Sequence, residues 1–328
     1  VSAEDLETLR LSYFRDLGCD VRSWRFADPQ GRESYVFRAG GDGVPLVLIH
    51  GGLDHACAWT QVAPHLRRPL VMPDRPGCGL SHPVDYRGVA FRQAAADWLL
   101  ALVDALGVDQ IDLVGNSMGG YFSAAFATAH PDRVRTLTLP GCPASFDRRI
   151  PFFMRLMGRP VIGPRLAKMT ALEPDKARRQ IFPGLVAHPE RIPERLLELG
   201  AMNAAQPKAQ QCVHSMLAAF TTLGGVRPEV ALREDLERLD VPTLFVWGDK
   251  DQFGPPSTGE ALVQRMPNAR LEILEDVGHL PHLEAPQRLA GLIEAFIEAH
   301  ALRMWSSTTT ASARSRAHGS NSGSDPPA

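Results

Sequence analysis

Ile111-Asp112-Leu113-Val114-Gly115-Asn116-Ser117-Met118-Gly119-Gly120 decides the fold of this chain. It opens as a short apolar run, the pattern of a strand buried on both faces. It closes as the start of a helix that runs to about His130 and is stopped by Pro131. Between the two lies G-x-S-x-G. A serine at such a junction sits in a sharp, strained turn, and its neighbours must be small for the turn to close. The turn lifts Oγ clear of the sheet at a helix N-terminus, where unpaired N–H groups and the dipole favour developing negative charge. Five-residue patterns also arise by chance in tight loops, but the strand–turn–helix setting favours Ser117 as a nucleophile.

Outward from this motif, residues 45–49, 70–72, 134–139, 243–247 and 271–274 are further short apolar runs separated by longer helical stretches. That alternation predicts an α/β fold with a parallel sheet whose strands are buried on both faces. Residues 3–17 have helical spacing and stop at Gly18, and residues 21–27 and 33–38 alternate around Asp28-Pro29-Gln30-Gly31 as a hairpin. From 143 to 230 no strand is evident. Helix-like pieces broken by Pro151, Pro160, Pro164, Pro174, Pro183, Pro189, Pro193 and Pro207 suggest a helical lid inserted into the sheet domain. The expected organisation is an N-terminal helix (1–20), a first core part (21–142), the lid (143–230), a second core part (231–304) and a disordered tail (305–328).

A serine hydroxyl needs a base, and the base needs an acid to orient it. Residues 243–247 are followed by Gly248-Asp249-Lys250-Asp251, and residues 271–274 by Glu275-Asp276-Val277-Gly278-His279. Both segments fall past strand C-terminal ends, the edge where sites form in open α/β sheets. His279 is preferred as the base over His282, which lies a turn into the next helix. Asp251 is preferred as the acid over Asp249, which is placed to brace the turn. After the first apolar strand comes His50-Gly51-Gly52-Leu53, whose glycines let backbone approach the serine. The expected oxyanion donors are the N–H groups of Gly52 and Met118, with Leu53 as the alternative to Gly52. His50 is expected to be structural.

Composition removes other classes. The 328 residues carry a net charge of −2, so nothing marks a nucleic-acid partner. No eighteen-residue apolar window exists to span a membrane. Five cysteines without a C-x-x-C pair argue against a disulfide framework or zinc ribbon, and the N-terminus lacks the basic-then-apolar order of a secretory signal. The expected setting is the cytoplasm, the expected partner a small-molecule substrate, and no metal-spaced cluster or phosphate loop stands out.

Taken in order, His50-Gly51, Asp74-Arg75-Pro76-Gly77-Cys78-Gly79-Leu80-Ser81, Gly115-Asn116-Ser117-Met118-Gly119, Trp247-Gly248-x-x-Asp251 and Gly278-His279 with Glu284-x-Pro286 resemble the α/β-hydrolase superfamily over roughly residues 34–301. The resemblance implies a Ser–Asp–His triad on an eight-stranded, mostly parallel sheet, a helical lid after the sixth strand, and no cofactor. It also implies that Asp74 and Arg75 pack the base of the site. Serine at the elbow argues against haloalkane dehalogenases and related epoxide hydrolases, which carry Asp there. The elbow is similar to that of meta-cleavage-product hydrolases, which split C–C bonds, but Leu53-Asp54-His55-Ala56-Cys57 departs from their glycine-rich oxyanion loop. The expected activity is hydrolysis of a carboxylic ester or lactone of a small, largely apolar substrate. Alternatives are C–C hydrolysis, a lyase or cyclase on the same fold, or a receptor-like binding protein with a vestigial triad.

Overall fold

The computed structural model describes residues 2–52, 54–141, 150, 152–169 and 184–301. Leu53, Cys142, the tail 305–328 and part of the expected lid (143–149, 151 and 170–183) lie outside the described residues. Eight strands form one sheet: β1 (Val21–Ala27), β2 (Glu33–Ala39), β3 (Leu46–Ile49), β4 (Leu70–Pro73), β5 (Ile111–Gly115), β6 (Val134–Pro140), and, after a two-stranded β7–β8 hairpin (Thr221–Thr222 and Gly225–Val226), β9 (Thr243–Gly248) and β10 (Ala269–Leu274). Their order is β1-β2-β4-β3-β5-β6-β9-β10. β1–β2 and β2–β4 pair antiparallel, and every later pair is parallel.

β3, β4, β5 and β9 are buried at every position, as their unbroken apolar runs predict. β10 departs from that expectation. It is the sheet's last strand, and only Leu274 is fully buried while Ile273 stays 40% exposed. An edge strand has a neighbour on one side only, so its apolar run need not mean burial on both faces.

The sheet separates two apolar layers. On one face α2 (Phe91–Leu106) and α3 (Met118–Ala129) pack Trp98, Leu99, Leu102, Phe122 and Phe126 against β5 and β6. On the other, α1 (Ala3–Asp16) contributes Leu6, Tyr13 and Phe14, and the helix at 286–301 contributes Leu289, Ile293, Phe296 and Ile297. Each such side chain contributes about 1.5–3 kcal/mol on full burial, enough to hold the sheet as a rigid platform.

Between β6 and β9 the described chain forms helices Phe152–Met157, Ile162–Met169, Glu194–Ala204 and Pro207–Phe220. This insertion is not wholly helical, since it also contains the β7–β8 hairpin, with Thr221 paired to Val226 and Thr222 to Gly225. Two residues per strand give no period-2 pattern to read, which is why the sequence shows no strand here.

Candidate active site

Ser117 stands between β5 and α3 with φ 52° and ψ −114°. Positive φ is uncommon outside glycine and costs energy, so the surrounding structure must impose it. The imposing contacts are steric. A Cβ on Gly119 would lie 2.2 Å from the Ile49 carbonyl oxygen, and one on Gly115 would lie 2.4 Å from the Gly119 carbonyl oxygen. Only glycine at both positions lets the turn close against β3. Asn116 then fixes the elbow laterally, with Nδ2 donating to the Pro140 carbonyl (2.8 Å) and the His279 carbonyl (3.2 Å). The half-buried Ser117 sits at the N-terminus of α3, whose first-turn N–H groups have no intrahelical acceptor.

His279 and Asp251 come together as expected. Nδ1 of His279 lies 2.9 Å from Oδ2 and 3.1 Å from Oδ1 of Asp251, and both residues are buried. With its Nδ1 proton directed at the carboxylate, the ring leaves Nε2 as the acceptor, and Nε2 is buried with no hydrogen-bond partner. Phe253 stacks on the imidazole at 4.3 Å, while its N–H donates to Asp251 Oδ1 (2.9 Å). Asp249 braces the turn, as expected: Oδ1 accepts the Val277 N–H at 3.3 Å, and Lys250 pairs with Oδ2 at 3.1 Å.

His282 is set apart from this work. It is fully buried against Trp59, neither ring nitrogen has a partner, and burial, aided by nearby His279, drives its pKa down to about 3. Such a ring stays neutral across the ordinary pH range.

The loop after β3 runs beside the elbow. A Cβ on Gly51 would lie 2.9 Å from Asn116 Oδ1 and 3.6 Å from Ser117 Cβ; one on Gly52 would lie 3.8 Å from both Met118 Cβ and Met216 Cε. The two expected oxyanion donors, Gly52 and Met118, are therefore neighbours. His50 is structural: Nδ1 donates to the Gly51 carbonyl (2.9 Å) and Nε2 accepts the Arg75 N–H (3.0 Å). Burial, reinforced by the Arg75 charge, holds its pKa well below the histidine range, consistent with that neutral tautomer.

Segments of the insertion reach the site. Met216 meets Gly52, the Leu185 carbonyl accepts the His279 N–H at 2.6 Å, and Asn203 Oδ1 accepts the Gly79 N–H at 2.9 Å. Glu284 joins the His279 loop to this layer. Its Oε1 accepts the Gly278 N–H (2.8 Å), and its Oε2 accepts the Ala187 N–H (2.7 Å). Asn116 and Glu284 belong to motifs visible in the sequence, but their bridging contacts lie 163 and 97 residues away, beyond any local pattern. Among the described residues no His, Cys, Asp and Glu cluster could hold a metal, and no helix is long and apolar enough to cross a membrane.

An eight-stranded α/β sheet with a strained serine at a strand–helix elbow, and an aspartate–histidine pair past two later strands, defines a hydrolase of the α/β class. The chain belongs to the alpha/beta hydrolase family, whose model matches residues 46–292. It is 31% identical to the 2-hydroxymuconate semialdehyde hydrolase of Pseudomonas putida over 271 residues, covering 80% of this chain and 90% of that one. It is 29% identical to the pimeloyl-[acyl-carrier protein] methyl ester esterase of Aeromonas hydrophila, over 78% of this chain and 96% of that one. Among solved structures, the 2-hydroxy-6-oxo-6-phenylhexa-2,4-dienoate hydrolase of a Rhodococcus species shares the fold with a TM-score of 0.71 at 24% identity, covering 85% of this chain and 99% of that one.

Proposed function

We propose that this hydrolase cleaves a carboxylic ester or lactone of a small, largely apolar substrate through an acyl-enzyme on Ser117. The observation that carries the reading is the buried His279 ring, locked at Nδ1 by Asp251 with Nε2 left as the free acceptor. Ser117 Oγ bonds to the substrate carbonyl carbon as its proton passes to Nε2, and Asp251 stabilises the imidazolium. The carbonyl oxygen becomes an oxyanion received by the N–H groups of Gly52 and Met118. Collapse breaks the bond to the leaving oxygen, which takes the proton from His279. Water then attacks the acyl carbon with His279 as base, releasing the acid and restoring Ser117. No cofactor enters these steps.

The insertion between β6 and β9 acts as the lid. Met216 beside Gly52 puts apolar surface where the acyl group would lie, and covering the site excludes water. A second reading, hydrolysis of a C–C bond in a vinylogous diketone, is favoured by the 31% identity to the 2-hydroxymuconate semialdehyde hydrolase. The test is a panel of esters, lactones, amides and vinylogous diketones offered to the wild type and to Ser117→Ala. Serine-dependent turnover of esters or lactones supports the first reading. Turnover confined to diketones moves the assignment to the second.

A further inference from the structure

Gly52 lies in the stretch between His50 and Ala56, which residues 74 and 75 grip at both ends. At its start Arg75 donates from Nε to the His50 carbonyl (3.0 Å) and from Nη2 to the Gly51 carbonyl (2.5 Å). At its end Asp74 Oδ1 accepts the Ala56 N–H at 2.9 Å. The placement of Gly52 beside Met118 therefore depends on where Asp74 and Arg75 are held.

Part of what holds Asp74 comes from outside the 46–292 region matched by the family model. Arg10 on α1 is 1% exposed and grips the carboxylate with both ends of its guanidinium, Nη1 to Oδ2 at 2.7 Å and Nη2 to Oδ1 at 2.6 Å. Its Nε points at Cys57 Sγ (3.3 Å), one residue past the gripped end of the loop. The Leu80 N–H donates to Oδ2 at 2.8 Å, so both carboxylate oxygens are engaged from more than one side. Burial opposes ionisation here, yet the adjoining Arg10 guanidinium holds Asp74 well below the usual carboxylate range. A planar, two-pronged pair fixes orientation as well as distance, which apolar packing of α1 would not do.

We infer that Arg10 is a positioning residue for the oxyanion loop, acting through Asp74 on Ala56 and Arg75, so that the N-terminal helix tunes the chemistry of a site it does not touch. The inference rests on the proposed serine mechanism. Lysine at position 10 keeps the charge but not the fork, and glutamine removes the charge.

The test uses the full chain with Arg10→Lys and Arg10→Gln, each corrected for active sites titrated with a fluorophosphonate. Two readouts report the oxyanion loop: kcat on an ester the wild type turns over, and affinity for a trifluoromethyl ketone. In the ketone adduct Ser117 Oγ bonds to the carbonyl carbon, its proton passes to His279, and the carbonyl oxygen becomes an oxyanion. The expected result is a fall of about 10-fold in both readouts for Arg10→Lys and about 100-fold for Arg10→Gln, with KM and the midpoint of the pH profile unchanged. A purely structural role would lower Tm and the titrated fraction but leave kcat per site and ketone affinity within about twofold of wild type, and that outcome overturns the inference. If Arg10→Gln does not fold, Arg10→Lys decides alone. Failure of the serine mechanism shows separately, as wild-type protein that takes no fluorophosphonate, and it removes the inference as well.

Discussion

The two carboxylate oxygens of Asp251 both face one nitrogen of His279, at 2.9 and 3.1 Å, which fixes the ring's tautomer and leaves its other nitrogen free to take a proton. Asp249, two residues earlier, instead pairs with Lys250 and the Val277 N–H. The chain thus separates the carboxylate that orients His279 from the one that shapes the turn.

Ser117→Ala and His279→Ala are each expected to reduce turnover by about 10⁴ to 10⁶-fold without unfolding the protein, because nucleophile and base act as a unit. Asp251→Asn should cost about 10³ to 10⁴-fold through loss of the tautomer lock. Asp249→Asn should remain far more active than Asp251→Asn. Steady-state kinetics on purified variants checks the order, and a reversal of the two aspartates would refute the assignment.

Gly119→Ala should destabilise by about 3 kcal/mol or prevent folding, since its Cβ would sit 2.2 Å from the Ile49 backbone oxygen and neither strand nor helix can move away cheaply. Gly200→Ala, where nothing lies within 4 Å of the new Cβ, is the control and should be nearly neutral or slightly stabilising. Urea unfolding of the two variants makes the comparison. Equal stability would mean that the elbow is looser than its contacts imply.

The sheet, the elbow and the triad candidates were legible because each is written in local chemistry. Apolar runs mark β3, β5 and β9, glycines mark a turn that tolerates no side chain, and Asp251 and His279 fall just past strands. Relationships between distant segments were not legible. Arg10 looks like an ordinary polar position on an amphipathic helix, and only the fold brings it to Asp74, 64 residues away. Leu271–Leu274 reads as a core strand, yet its place at the sheet edge is decided by topology, not by its own residues.

Stability should fall in mild acid, in part through His282. Its folded pKa of about 3 lies below the ordinary 6.5, so between those values the unfolded chain binds the proton and the folded one does not. Stability from this group is therefore complete above about pH 6.5 and declines toward pH 3, by up to about 1.4 kcal/mol for each pH unit. His282→Leu removes two ring nitrogens that have no partners and should flatten the pH dependence by that share. Urea midpoints measured from pH 4 to 7 report the slope, and an unchanged slope would contradict the prediction.

Met216 should influence substrate choice from within the insertion. Its Cε lies 3.8 Å from the Cβ position of Gly52, so Met216→Ala enlarges the space beside the oxyanion loop. The kcat/KM ratio of a longer acyl ester to acetate should shift by about 10-fold, while fluorophosphonate labelling persists. Loss of labelling in a folded variant would mean that the insertion builds the reactive centre itself.

The most direct test of the serine mechanism is to treat the wild-type protein with a fluorophosphonate and locate the adduct by peptide mass spectrometry. A serine activated by His279 should carry one stoichiometric adduct, on the peptide containing Gly115-Asn116-Ser117-Met118-Gly119, and His279→Ala should lose it. An unlabelled wild-type protein, or an adduct on a residue other than Ser117, would contradict the account.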